Sequence, residues 1–464
     1  MKRFNVLLAV CLMLSLVSPA LAVNFDFHGD FNNRFMVYTN HIDWFNSEKG
    51  SLQDGDVNES FGEIKYRLWT EASSDNDAIK GVYAAELGGI HFGEKNYSKG
   101  GGGGFSGDGV NIETRWAYVD FELGPGRTRI GLMPIGINKY FWKETVTGID
   151  YKGMVGNMEY ELAWLRGYEH VPSSDDDDKE DLDALYARIN FKPSNDIKTG
   201  LFVVYQMSDD DGAGSGLDPR SYRIKKLKET DLSLATLGND GKASFGNMFI
   251  NWDLMFQTGS IDNFTFDVNE YVNGAYGVAT SYTDDMDVSA YFAHIDIGAK
   301  FSNAKLTYTF WYASGDDDPT DGDLEAFIST DVDITDSIVI FEGNYCDDDY
   351  HTESPYLLDK GMILNKLALD YKVDDRLEVG AAALYLMTAE EIEYADNNGN
   401  VQKEDSLGFE LDAYIKYQLF SSTELALNVG YLMSDDAIDF YEVNKDGSAD
   451  EDIFVSSARL RYKF

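Results

Sequence analysis

The chain has 464 residues, with 81 acidic side chains against 38 Lys and Arg and a formal charge of −43. That excess of carboxylates argues against nucleic acid as a partner, because backbone phosphates need a basic surface. A length that would ordinarily imply two or three globular domains carries no linker: there are only 8 Pro, and 29 Tyr and 28 Phe are spread along the chain.

The N-terminus comes first. Lys2 and Arg3 precede an apolar run from Val6 to Val17, followed by Pro19-Ala20-Leu21-Ala22. A basic start, a short apolar core and a small-x-small site form a cleavable secretory signal peptide, so residues 1–22 are set apart and one domain is expected over 23–464. Cys11 would suit a lipoprotein signal only if a small residue stood before it, and Val10 is branched. No later stretch supplies about 18 consecutive apolar residues, so an exported chain that crosses a membrane must do so as a closed barrel. Cys346 alone remains after cleavage, which leaves no intrachain disulfide.

Period-two alternation then repeats along the chain. Phe25, Phe27, Phe31, Phe35 and Val37 share one face, and Asp26, His28, Asp30, Asn32 and Arg34 the other. Ile64, Tyr66 and Leu68 oppose Glu63, Lys65 and Arg67; near the end Leu407, Phe409, Leu411, Ile415 and Tyr417 oppose Glu410, Asp412 and Lys416. Short turns are expected near 74–77, 124–126, 156, 192–196, 259–262, 302–303, 373–375 and 420–423. Longer loops fall near 39–59, 93–109, 135–146, 169–182, 208–244, 272–285, 315–360, 389–405 and 435–452. Eight turns and nine loops connect eighteen strands. The weakest segments are 147–155 and 261–271, and losing one hairpin would leave sixteen. Short turns alternating with long loops, behind a signal peptide, predict an all-β, antiparallel up-and-down transmembrane barrel of the outer membrane.

The last strand ends Ala458-Arg-Leu-Arg-Tyr-Lys-Phe464. It resembles the C-terminal signature of outer-membrane barrels, which implies that Tyr462 and Phe464 are read by the barrel assembly machinery. Phe61-Gly-Glu-Ile-Lys-Tyr-Arg67, Arg115-Trp-Ala-Tyr118-Val-Asp-Phe121 and Arg129-Ile-Gly131-Leu-Met-Pro134 resemble early strands of trimeric porins, nearest the homotrimeric porin family of Desulfovibrio-like bacteria. The resemblance implies a homotrimer of water-filled barrels embedded in outer-membrane lipid and lipopolysaccharide. One departure is that loop 135–146 is short for a constriction loop, which leaves 208–244 or 315–360 to narrow the pore.

A pore selects by its radius and its narrowest ring of charge. The inner face offers Arg34, Lys65, Arg67, Arg115, Arg127 and Arg129 early, then Arg459, Arg461 and Lys463 at the end. First and last strands are neighbours in a closed barrel, so these make one basic wall. Acidic candidates for the lumen are Glu159, Glu161, Asp253, Asp296, Asp370, Glu410 and Asp412. The loops are more acidic still: 169–182 carries seven acids to one base, 315–360 fifteen to one, and 435–452 eight to one. Such a vestibule concentrates cations. Asp316, Asp318, Asp321 and Asp323 look like part of a calcium loop but lack the register of an EF-hand, so divalent ions bridging loops to lipopolysaccharide are the plainer expectation. Loop 208–244 is the basic exception, with Arg220, Arg223, Lys225, Lys226 and Lys228. Six His are scattered without ligand spacing, so neither a catalytic site nor a resident cofactor is expected. The leading expectation is passive diffusion of small polar solutes with mild cation preference. The alternatives are a substrate-specific channel, for which Trp69, Trp311 and Tyr414 are inward aromatics; a structural or adhesive surface barrel with a plugged lumen; and a soluble periplasmic β-protein.

Overall fold

The computed structural model describes residues 23–40, 58–74, 76–93, 112–168, 181–209, 231–266, 282–318, 321–341, 356–357, 359–442, 445–449 and 451–464. The signal-peptide segment, the acidic run Asp175–Asp178, the basic cluster 220–228, Cys346 and Asn444 lie outside the described residues.

Eighteen long strands follow one another: β1 Val23–Thr39, β2 Glu59–Ser74, β3 Ile79–His91, β4 Ile112–Leu123, β5 Gly126–Asn138, β6 Trp142–Val155, β7 Met158–Tyr168, β8 Leu182–Phe191, β9 Ile197–Asp209, β10 Asp231–Phe245, β11 Met248–Phe266, β12 Tyr282–Phe301, β13 Ala304–Ala313, then β15 Met362–Lys372, β16 Leu377–Ala395, β17 Val401–Phe420, β18 Thr423–Ser434 and β19 Ile453–Lys463. The two-residue β14, Asp323–Leu324, lies in the loop after β13 and pairs parallel with β12. Each long strand pairs antiparallel with its sequence neighbours, and β1 pairs with both β2 and β19, so the sheet closes into an 18-stranded barrel. Closure gives each long strand a hydrogen-bonded partner on both sides, which a hydrocarbon surround demands.

The alternation read from the sequence maps onto two faces. Phe25, Phe27, Phe35 and Val37 are exposed on the outside, while Asn32, Arg34, Met36 and Tyr38 turn inward and are buried. The last residue joins the first strand directly: Gly29 N–H donates to the Phe464 carbonyl at 3.0 Å, and Phe464 N–H to the Gly29 carbonyl at 3.0 Å. The Phe464 ring lies 5.8 Å from Phe31 and 5.4 Å from Tyr462.

Seven of the eight expected turns fall between strands, and the remaining one does not. Residues 259–262 lie inside β11, and the connection is the tight turn at 246–247. Residues 231–244, expected as loop, belong to β10, so the count of eighteen is met with one hairpin displaced along the chain. The cause is Gly238-Asn-Asp-Gly241, which reads as turn chemistry. In the barrel both glycines are strand residues opposite large rings, Gly238 facing Phe202 and Gly241 facing Trp252, and a Cβ on either would overlap the ring. The loops expected at 135–146 and 389–405 are shorter than anticipated, because β5 and β6 run on to a tip at 139–141 and β16 and β17 to one at 396–400.

Gly238→Val is expected to lower barrel stability by about 1–3 kcal/mol by displacing the Phe202 ring. Gly81→Val, where a Cβ meets nothing within 4 Å, should leave it unchanged. Urea unfolding followed by tryptophan fluorescence compares the two; equal midpoints would remove the ring-over-glycine explanation.

Candidate functional site

The inner face of an outer-membrane-type barrel is expected to be polar throughout. Here that holds at the turn end only. Toward the loop end, Met36, Leu234, Phe292, Trp311, Leu364 and Leu386 point inward and are buried. They pack against the connection between β13 and β15, which folds down into the lumen. Its Leu324, Phe327, Ile328, Val332, Ile334, Tyr356 and the four-residue helix α1, Ile338–Phe341, join the same apolar cluster. The β5–β6 tip adds Tyr140 and Phe141, with Phe292 centred 4.8 Å from Tyr140 and 5.4 Å from Phe327. Loop 315–360 therefore takes the constricting place that the sequence left open between two loops.

Wall side chains hold this inward segment by its backbone. Glu410 of β17, 0 % exposed, accepts from the Ile338 and Val339 N–H groups at 2.9 Å and from the Ser337 hydroxyl at 2.7 Å. A carboxylate at the exposed donors of a helix's first turn is the natural partner for them. Gln257 of β11 donates to the Ile328 carbonyl at 2.7 Å and accepts from its N–H at 2.8 Å, as a neighbouring strand would. The β5–β6 tip bonds residues 330–333: Thr330 N–H to the Phe141 carbonyl at 2.9 Å, Asp333 N–H to that of Lys139 at 2.8 Å, and Lys143 N–H to that of Asp331 at 2.9 Å. Tyr356 donates its hydroxyl to the Tyr140 carbonyl at 2.6 Å.

What the apolar cluster leaves open is a cavity of about 610 Å³ along β1–β6 and β19. Lys65, Arg67, Arg115, Arg459 and Arg461 line it, five of the basic-wall residues read from the sequence. Lys139, Lys143, Asp333 and Thr335 close the other side. The lining holds seven cationic side chains and four carboxylates, Asp30, Glu86, Glu144 and Asp333. Each cation is held by an acid: Arg67 to Glu86 at 2.7 Å, Lys65 to Glu86 at 3.7 Å, Arg461 to Asp30 at 2.7 Å, Lys139 to Asp336 at 3.4 Å, Arg115 to Glu144, Lys143 to Asp333 and Arg459 to Glu424. The Arg67 guanidinium lies 5.3 Å from the Trp116 ring centre.

The other expected residues sit elsewhere on the inner wall. Arg34, 1 % exposed, is sealed against Glu63. Arg127 pairs with Asp120 at 2.8 Å and Arg129 with Asp150 at 2.8 Å, both toward the turn end. Glu161 meets Lys152 at 2.8 Å. Glu159 borders a second cavity described below. Asp253 and Asp296 flank His294, at 2.7 Å from Nδ1 and 3.2 Å from Nε2, and Asp253 also takes the Asn138 amide at the end of β5. Asp370 lies 3.8 Å from Lys305 and accepts from Tyr414. Asp412 is buried beside Glu410 beneath α1, so these two carboxylates serve the inward loop rather than an open lumen. Of the inward aromatics, Trp311 is in the apolar cluster, and Trp69 stacks on His28 at 5.0 Å. Asp316 and Asp318 share an Asx-type contact at 3.1 Å, as do Asp321 and Asp323 at 2.9 Å; among the described residues no three His, Cys, Asp or Glu side chains are placed to hold a metal ion. Lys139 and Lys143 were missed because 135–146 is short for a loop that reaches the lumen, and Asp333 because nothing in the spacing of the candidate loop 315–360 marks it out.

No protein-family model matches the sequence, and no curated protein matches it. Solved structures with the same fold do exist. OccAB4 of Acinetobacter baumannii superposes with a TM-score of 0.53 at 7% identity, covering 96% of this chain and 100% of that one. OccK8 (OprE) of Pseudomonas aeruginosa gives 0.52 at 11%, covering 95% and 98%. The outer membrane protein OpdK of the same organism gives 0.51 at 9%, again covering 95% and 98%. At such identities they establish a shared barrel architecture over nearly the full length.

Glu410→Ala should leave three donors of the inward segment without an acceptor, at about 1–3 kcal/mol. Hydrogen exchange at 337–341 should quicken while the barrel ladder stays protected; unchanged exchange would mean that packing alone holds α1. A pH effect follows from the root of the same loop. Asp316, 2 % exposed, lies where 314–318 meets 359–361, and its carboxyl is pushed up to about 8 by burial first and by the neighbouring Asp359 second. A carboxyl whose folded value is raised favours the fold most when protonated in both states. Its contribution is whole below the ordinary carboxylate range and is lost as pH rises through about 8. Exchange protection at 359–361, corrected for intrinsic rate, should therefore fall between about pH 5 and about pH 9, and Asp316→Asn should flatten that fall.

Proposed function

We propose that the protein is an outer-membrane channel through which small hydrophilic solutes and ions diffuse passively. The observation that carries this reading is the combination of a closed barrel, apolar outside, with an inward loop that leaves a charged cavity of about 610 Å³ beside the wall. A signal peptide at 1–22 would deliver it across the inner membrane, and the strand ending at Phe464 would present the barrel to the assembly machinery. Its acidic loops would face lipopolysaccharide and divalent ions such as calcium. The early-strand resemblance supports a homotrimer of the Desulfovibrio-like porin type.

The lumen supports a selective channel over a wide general pore. An apolar cluster occupies the loop end, and the proposed solute route is the cavity along β1–β6 and β19, whose lining carries seven cationic side chains and four carboxylates. Acidic loops above that wall supply the mild cation preference, and the wall itself orients solutes that carry a dipole or an anionic group.

The test is planar-bilayer conductance of the detergent-purified mature chain, with the reversal potential under a salt gradient. Steps in groups of three with modest cation preference are expected, and Arg67→Gln with Arg115→Gln should raise that preference by a few-fold. Silence at every voltage would overturn the channel and favour a plugged structural barrel.

A further inference from the structure

At the turn end of the lumen a second cavity of about 610 Å³ lies against β6–β10, apart from the passage along β1–β6 and β19. Lys198 of β9 and Lys242 of β10 stand directly opposite each other in the antiparallel register, and both line it. Lys192, from the β8–β9 turn, is the third cation of the lining. Like charges placed directly across a sheet repel and weaken the pairing. Two carboxylates, Glu159 and Asp196, share the cavity, yet among the described residues none of the three lysines forms an ion pair.

That pattern departs from the rest of this wall. Arg129 is matched by Asp150, Lys152 by Glu161, and Arg188 by Asp240 at 2.6 Å. Asp240, the β10 carboxylate on the same face as Lys242 and two residues before it, is thus already taken. Asn157, Asn190 and Asn195 bring amide groups to the same cavity, so it offers cations and neutral donors together. This is the set that recognises oxyanions, with lysine as a point charge and amides as directional donors.

We propose that the cavity is a binding site for small solutes carrying two or more carboxylate or phosphate groups, held by Lys198 and Lys242 from the wall and Lys192 from the turn. The volume exceeds what a lone inorganic ion needs and suits a molecule of several carbons. The site requires the cavity and its charges, not conduction, so its test is separate from that of the channel.

Calorimetry on the detergent-solubilised full barrel, titrated with citrate and separately with pyrophosphate, tests it. At about 0.01 M salt, where the screening length is about 30 Å, saturable one-to-one binding is expected. Lys198→Gln with Lys242→Gln should weaken it at least about tenfold, while Lys152→Gln, whose partner is Glu161, should not. Binding of citrate alone assigns the site to carboxylates, and of pyrophosphate alone to phosphorylated solutes. Thermal unfolding supplies a second readout: without anion the double variant should melt no lower than wild type, since repulsion is relieved, and added anion should stabilise wild type only. No saturable binding of either anion, or equal affinity in the double variant, would overturn the proposal.

Discussion

The backbone hydrogen-bond ladder is the constraint from which the rest follows. A strand facing hydrocarbon has no water to satisfy its N–H and C=O groups, so each of the eighteen strands must have two neighbours and the sheet must close on itself. Closure reaches the final residue, where Gly29 and Phe464 exchange a pair of bonds. Once register is set by that ring of ladders, the period-two alternation decides every side chain's face. Arg34, Arg67, Arg459 and Arg461 converge on one stretch of wall because the first and last strands are adjacent, though more than 390 positions separate Arg67 from Arg461.

A closed sheet of this size encloses more space than its own side chains fill. The protein fills part of it with a segment of its own chain. The loop after β13 brings apolar residues to meet the apolar inner faces of β10–β13 and β15–β16, so the lumen acquires a hydrophobic core at one end and remains wet at the other. The core alone does not specify how the loop lies. Glu410 and Gln257 do so by meeting its backbone groups, and the β5–β6 tip does so by pairing with residues 330–333. Buried backbone groups that would otherwise be orphaned are thereby matched from the wall.

This explains what was legible beforehand. Where a strand faces lipid outside and water inside, alternation is plain, and the two faces of β1, β2 and β19 follow the sequence pattern; β17 does so from Phe409 onward, while Leu407, expected on the outer face, is buried in the inward cluster. Where it faces the inward loop inside, the sense of the alternation inverts, as on β10, where Leu232 and Leu234 point inward and are buried while Asp231 and Ser233 lie on the other face. The hairpin misplaced by the sequence reading begins in that region. Gly238 and Gly241 completed the error, since turn chemistry and a slot for a neighbouring ring call for the same residue. Loop 315–360 was one of two loops left open to narrow the pore, and the fifteen carboxylates that dominate its composition hid which part of it turns inward. Much of its inward part lies in the stretch from Leu324 to Phe341, in which apolar residues are interspersed with Asp331, Asp333 and Asp336, and two of those acids, Asp336 and Asp333, pair with Lys139 and Lys143.

The last step concerns charge. A net charge of −43 suggests a uniformly anionic channel, but the wall does not share that surplus. Along it, acids and bases are matched nearly one for one, as in Arg129 with Asp150, Arg166 with Asp183 and Arg188 with Asp240. The excess carboxylates belong to the connections: 169–182, 315–360 and 435–452 together carry thirty acids and three bases. Matched pairs contribute little field at a distance, whereas exposed acids act over a Debye length of about 8 Å at physiological salt. The field therefore changes along the barrel axis, from anionic among the loops to nearly balanced beside Arg67 and Arg115, whose charges are met by Glu86 and Glu144. Selectivity in such a lumen depends on the few groups at each level, and composition averages over all of them.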